Sequence, residues 1–439
     1  MSVSRRGPEL LAPAGTLKGL TYALAYGADA VYAGLPRYSL RVRNNDFDAD
    51  HLAAGISAVH AQGRRLYLAC NLMPHGAKLR TFVQDLDPIV ALGPDALILA
   101  DPGLILLARE RWPQVPIHLS VQANTLNAAA VRFWQAQGIA RVILSRELSL
   151  DEIAEIRQTC QDMELEVFVH GALCIAYSGR CLLSGWFNHR DANQGSCTNA
   201  CRWEYRLACP GEPAGDSAGE WAGEGTEPGR HPAADEVYLL EEGQRPGQFM
   251  PIFEDEHGTY IMNARDLRAV EHVGRLVAMG IDCLKIEGRT KSHYYVARTA
   301  QVYRQAIDDA LGGRPFRPEL LRDLEGLANR GYTEGFYRRH APAELQNYER
   351  GSSDNERQIF VGEVAGLGAD GWAEVEVKNR FGVGDALELL TPAGNRSFCL
   401  AAMTDLEGQS MDLAPGGGYR VRIPLPVADA DLGLITRVL

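Results

Sequence analysis

The sequence predicts an α/β fold: a TIM-like (β/α)8 barrel followed by a small antiparallel β-barrel domain. Three observations predict it. Eight short apolar runs recur along the chain, most of them separated by Ala- and Leu-rich stretches at helical spacing. Polar residues gather at the C-terminal ends of those runs. After residue 357 the pattern changes to apolar–polar alternation broken by turns.

The runs are Glu9–Gly15, Ala30–Gly34, Arg65–Asn71, Ala96–Asp101, Ile117–Asn124, Arg141–Glu147, Leu165–His170 and Cys283–Arg289. Stretches such as Leu17–Tyr26 and Ala128–Gln137 carry helical periodicity between them. Repeated strand–helix units predict a parallel sheet, and eight of them favour a closed barrel over a doubly wound open sheet. Helices over about 291–330 then lead to the second domain. There Phe360-Val-Gly-Glu-Val-Ala, Ala373-Glu-Val-Glu-Val-Lys and Ala386-Leu-Glu-Leu-Leu alternate, with a turn at Thr391–Asn395. The expected domains are 1–357 and 358–439. A Gly-, Glu- and Pro-rich stretch near 210–234 has little to bury and reads as a disordered insertion in the first.

Composition narrows the class. The chain has 439 residues, 46% hydrophobic and 23% charged, as in soluble globular proteins. No apolar run is long enough to span a membrane, and Met1–Pro8 lacks the apolar core of a signal peptide. A reducing, cytoplasmic location is expected. The net charge of −12 argues against indiscriminate coating of nucleic acid, while leaving room for a local basic site that reads one folded RNA.

Four of the nine cysteines, Cys174, Cys181, Cys197 and Cys201, fall in one short stretch. Such crowding in a cytoplasmic chain favours metal or redox chemistry over disulfides. Four thiolates suit an iron–sulfur cluster or a structural zinc, and the spacing alone decides neither. Buried free thiols are the plain alternative, but the Gly, Ser, Arg and Asn around these four do not look like core. The segment directly follows the seventh strand, so it lies on the barrel's C-terminal face, where active sites form. Asn71, Asp101, Gln122, Asn124, Arg146, Glu147, His170, Glu287 and Arg289 share that face. From them Glu147, His170 and Glu287 are the candidate catalytic groups.

Arg41 and Arg43, in the loop after the second strand, together with Arg180 and Arg289, are the candidate binders of an acidic substrate, because a guanidinium bonds a carboxylate through two donors. A solvated surface loop is the plainer account of the first two. The run Arg289, Lys291, His293, Tyr294, Tyr295, Arg298, Tyr303, Arg304 interleaves basic and aromatic groups, as an RNA-stacking surface does; at helical spacing its tyrosines equally suit a core. Lys378, Arg380, Arg420 and Arg422 give the second domain a basic patch for RNA, unless that face only solvates the sheet.

Glu166-Val-Phe-Val-His170-Gly-Ala-Leu-Cys174 and Ser178-Gly-Arg-Cys181-Leu-Leu-Ser184 resemble the signature of the collagenase-like peptidase family U32. Pro8–Gly15, Tyr26–Gly34, Arg37–Asn45, Cys197–Tyr205, Phe253–Tyr260 and Lys285–Lys291 extend the resemblance, in order, over nearly the whole chain. It implies a subgroup that supports prephenate-dependent, dioxygen-independent formation of 5-hydroxyuridine at the wobble position of tRNA. Sister members hydroxylate ribosomal RNA or ubiquinone precursors. The resemblance further implies a 4Fe-4S cluster on Cys174, Cys181, Cys197 and Cys201, with prephenate and tRNA as partners and the sulfur-cluster assembly machinery as a further one. Two other readings stand beside it. One is a peptidase, for which the chain shows neither a Gly-x-Ser-x-Gly elbow nor a His-Glu-x-x-His helix, and for which a Cys174–His170 pair would compete with cluster ligation. The other is an RNA-binding protein without catalysis.

Overall fold

A computed structural model describes residues 7–35, 37–39, 46–173, 265–327, 329, 331–338 and 358–439, and the backbone of 238–241, 249–255 and 258–260. Eight parallel strands close on themselves: β1 (Glu9–Pro13), β2 (Ala30–Gly34), β3 (Arg65–Ala69), β4 (Ala96–Leu99), β5 (Ile117–Leu119), β6 (Arg141–Ile143), β7 (Glu164–Ala172) and β8 (Cys283–Ile286). Each pairs with the next in order, and β8 pairs with both β7 and β1, which closes the barrel. All eight expected strands are present.

The outer ring comprises α1 (Leu17–Ala25), α2 (Ala49–His60), α3 (Gly76–Val90), α4 (Pro102–Arg111), α5 (Ala128–Ala136), α6 (Leu150–Thr159), α7 (Val273–Met279), α8 (His293–Leu311) and α9 (Glu319–Glu325). Their starts are encoded locally. Thr16, Asp48, Asp101, Asn127 and Ser292 each accept a first-turn backbone N–H, and Ser149 with Glu152 forms a reciprocal cap. Asp101 is thereby the cap of α4, a structural role.

The second domain is a six-stranded antiparallel sheet of β9 (Gln358–Leu367), β10 (Trp372–Val377), β11 (Ala386–Thr391), β12 (Gly394–Cys399), β13 (Arg420–Pro424) and β14 (Leu434–Val438), in the order β12-β11-β14-β9-β10-β13. Bulges near Gly362 and Gly366 bend its longest strand. Its own core includes Val361, Val375, Phe381, Leu389 and Ile423.

Polar bonds and ring stacking lock this domain to α1 and α8. Tyr22 donates to Glu363 (2.9 Å), Tyr26 to the carbonyls of Leu390 and Leu432, and the buried Arg298 to Glu388 (2.9 Å). Tyr294 stacks on Phe360 at 4.7 Å. This overturns the RNA-surface reading of α8, since Tyr294, Tyr295, Arg298 and Tyr303 are all buried. In the second domain Lys378 pairs with Glu376, Arg420 with Glu374 (2.8 Å) and Arg422 with Asp370 (2.7 Å). Among the described residues no helix is long and apolar enough to cross a membrane.

Candidate active site at the barrel mouth

Strands β1 and β6 are not neighbours in the sheet, nor are β1 and β3. Bonds between their side chains therefore cross the lumen. Arg141 of β6 donates to Glu9 of β1 (2.8 Å), and Tyr67 of β3 donates to both oxygens of Glu9 (2.9 Å each). Higher up, Lys285 donates to Glu166 at 2.8 Å and Arg141 reaches the same carboxylate at 3.3 Å. Burial acts to raise the Glu166 pKa, but Lys285 and Arg141 outweigh it and hold the carboxyl below the usual glutamate range. The lower lumen is thus an internal ladder of compensated charge.

Above the ladder lies an aromatic layer. The Lys285 ammonium sits 4.4 Å from the Tyr32 ring centre and 5.4 Å from that of Phe168. On the other face of this layer the strand ends deliver the mouth. Arg146, past the end of β6, lies 3.9 Å from the Phe168 ring centre. Tyr32 donates to the carbonyl of Ile286 (3.0 Å) and reaches Glu287 at 3.4 Å. Glu287 stands 4.0 Å from Arg146. Arg289 is buried, bonds the Ser39 hydroxyl and lies 5.8 Å from the Tyr32 ring centre. Gly34 makes room for it, because a Cβ there would run into both Arg289 and Ser39.

The structure brings together Glu287 and Arg289 of the expected residues, with Tyr32, Arg146 and Ser39 beside them. Glu147 is half-buried one residue further along, where the Ser145 hydroxyl donates to it. His170 stands apart from this group. The register between β7 and β8 slips so that Lys285 faces Phe168 and Ile286 faces His170. The imidazole lies among Tyr295, Tyr303 and Tyr332, with ring centres 5.5–5.8 Å away, and its Nδ1 is 3.3 Å from the Tyr303 hydroxyl. Burial first, then the positive charges of Arg268 and Lys291, lower its pKa to about 3. A neutral imidazole so placed positions the β7 end. Arg41, Arg43, Arg180, Cys174, Cys181, Cys197 and Cys201 lie outside the described residues.

The lumen ladder and Tyr32 went unnoticed in the sequence. Their signal was present: Glu166 and Lys285 are charges inside apolar strands, where a charge survives only if it faces a partner.

A model described as Peptidase family U32 matches residues 15–347, and one described as Peptidase family U32 C-terminal domain matches 356–437. The chain belongs to peptidase family U32. Among the relatives of this U32 chain is tRNA hydroxylation protein P of Escherichia coli (strain K12), 60% identical over 95% of this chain and 94% of that protein. The Haemophilus influenzae protein of the same name is 56% identical over 95% of this chain and 93% of its own length. A solved U32 peptidase, 12% identical, covers 66% of this chain and 96% of its own at a TM-score of 0.38.

Proposed function

We propose that this U32 chain hydroxylates tRNA, forming 5-hydroxyuridine at the wobble uridine with prephenate as co-substrate and without dioxygen. The observation that carries the reading is identity of 60% over nearly full length to a tRNA hydroxylation protein. The mouth supports it: the buried Arg289 and the largely enclosed Arg146 gather with one carboxylate, Glu287, a balance that suits an acidic small molecule. Arg41, Arg43 and Arg180 are further partners for that acid. Glu287 and Glu147 are the proton-handling candidates, and His170 holds the strand that ends in the cysteine segment.

Cys174, Cys181, Cys197 and Cys201 supply the four thiolates that a 4Fe-4S cluster takes. Bound there, such a cluster would bring redox chemistry to the mouth, and its insertion would draw on the sulfur-cluster assembly machinery of the cytoplasm. The thiols of Cys70, Cys160 and Cys283 offer no rival chemistry. Burial raises all three pKa values, Cys70 to about 12, so they are protonated at neutral pH and are poor peptidase nucleophiles.

The test is nucleoside analysis of tRNA from a deletion strain that also lacks other routes to the modification. Restoring the intact chain should restore wobble 5-hydroxyuridine. Single Cys→Ala variants at 174, 181, 197 and 201 should lose both the nucleoside and bound iron. Full iron in all four variants would refute the ligand set, and no gain from the intact chain would refute the activity.

A further inference from the structure

Arg146 has one edge in use and one edge waiting. Its Nη1 donates to the carbonyl of Ala172 at 2.5 Å. The opposite edge of a guanidinium carries Nε and Nη2, the two donors that grip a carboxylate side-on. Here Nη2 has the Glu287 oxygen at 4.0 Å, beyond hydrogen-bond length, and Nε is buried without an acceptor among the described residues. The side chain is only 9% exposed. The guanidinium carbon lies 3.9 Å from the Phe168 ring centre, a contact that restricts the side chain's freedom.

The neighbouring strand end repeats the pattern. Gln122 is buried; its Oε1 accepts from Ser120 (2.9 Å), and its Nε2 has no acceptor among the described residues. The two strand ends are joined by the Ser145 N–H donating to the Thr125 carbonyl (3.2 Å). A buried donor without an acceptor is costly and calls for an explanation; here two of them, Arg146 Nε and Gln122 Nε2, fall on adjoining strand ends at the mouth.

We infer that the Nε/Nη2 edge of Arg146, assisted by the Gln122 amide, is the carboxylate grip for the acidic co-substrate. This rests on the prephenate reading above and places its recognition on the β5–β6 side of the mouth. Glu287 stands close enough to keep the vacant edge oriented, yet too far to fill it. A tRNA phosphate is the competing anion, but so enclosed a donor favours a small carboxylic acid over a polynucleotide backbone.

The experiment is titration calorimetry of the full-length chain, purified anaerobically, with prephenate as the probe. A parallel titration uses tRNA, and thermal melting checks folding. Arg146→Lys keeps the charge and removes the fork, so the prephenate Kd should rise about 10- to 100-fold, while tRNA affinity and melting temperature hold. Gln122→Met should raise it by a smaller factor in the same direction. Unchanged prephenate binding in Arg146→Lys overturns the inference and leaves the prephenate reading standing. A drop in tRNA affinity with prephenate binding intact assigns the edge to phosphate and overturns it too, as does joint loss of both ligands and of thermal stability, which marks Arg146 as structural. No prephenate binding by the unaltered chain removes the reading and the inference together.

Discussion

The two ends of the barrel lumen treat buried charge in opposite ways. In the lower half nearly every charged group finds a partner. Glu9 takes bonds from Tyr67, Arg141 and Arg65, and Glu166 from Lys285 and Arg141. The exception is His118, packed against Tyr67 with its Nδ1 unbonded; burial first, then Arg141, lowers its pKa far enough to keep it neutral. At the mouth, Arg146 Nε and Gln122 Nε2 are donors without acceptors among the described residues, and Glu287 lies 4.0 Å from Arg146 Nη2. Burial of polar groups alone does not mark a site. Incomplete pairing alone does not mark one either, since it also occurs at the domain interface, at Arg298 Nη1 and Gln301 Oε1; at the mouth it coincides with the strand ends where barrel active sites form.

The sharpest way to break this contrast is Glu166→Ala. It leaves Lys285 and Arg141 buried against a missing charge, and should destabilise the fold by about 3–5 kcal/mol. A double variant, Glu166→Leu with Lys285→Met, should recover much of the loss, since apolar replacements remove both desolvation penalties. Chemical denaturation of the three proteins decides. Equal losses in the single and double variants would mean that the ladder is not a compensated unit. By contrast Glu287→Gln at the mouth should leave the denaturation midpoint nearly unchanged.

The barrel was legible in the sequence because each of its strands is a short apolar run with a helix signal beside it. Ser149-Leu-Asp-Glu152, for instance, announces α6 before the structure is seen. The antiparallel domain was legible from alternation over Phe360–Val377. The site was legible only in part. Glu287 and Arg289 follow a strand and land at the mouth as expected. His170 also ends a strand, but a one-residue slip in register, which no side-chain pattern announces, sends it among Tyr295, Tyr303 and Tyr332. The basic and aromatic run on α8 misled for a related reason. Arg298 and Tyr294 serve the domain interface, while Tyr295 and Tyr303 bond barrel carbonyls; amphipathic side chains of this kind bury their rings and stems and bond their polar tips.

A smaller effect depends on pH. The folded protein holds His170 near pKa 3, against about 6.5 for the unfolded chain. Below pH 6.5 the unfolded state takes up a proton that the folded state refuses. Stability from this group is therefore complete above pH 6.5 and declines as pH falls, by about 1.4 kcal/mol per pH unit, until the folded value is reached. His118 adds a term of the same sign. Replacing His170 with Phe should remove one proton from the slope of unfolding free energy between pH 6 and pH 4.5. An unaltered slope would mean that His170 is already exposed enough to titrate normally.

The smallest expected effect lies in the second domain, and it tests whether basic residues there hold tRNA. Truncation at Gln358 is a poor test, because it would expose Tyr294 and strip Arg298 of Glu388. Surface substitution is cleaner. Arg420 and Arg422 already bond Glu374 and Asp370 on the neighbouring strand or turn, and Lys378 bonds Glu376. A guanidinium committed to a carboxylate presents little net field to a phosphate, and moving it to RNA would strand the acid. The triple variant Lys378→Ala, Arg420→Ala, Arg422→Ala also frees those carboxylates, so any loss of tRNA binding it shows is an upper bound on the patch's contribution. We expect less than about a threefold change in affinity and a salt slope reduced by well under three phosphate contacts. Exposed pairs of this kind carry little stability, so the fold should shift by no more than about 1 kcal/mol. A tenfold or larger loss of tRNA affinity, with prephenate binding preserved, would instead make this sheet face the RNA clamp, its ion pairs being exchanged for phosphates on binding.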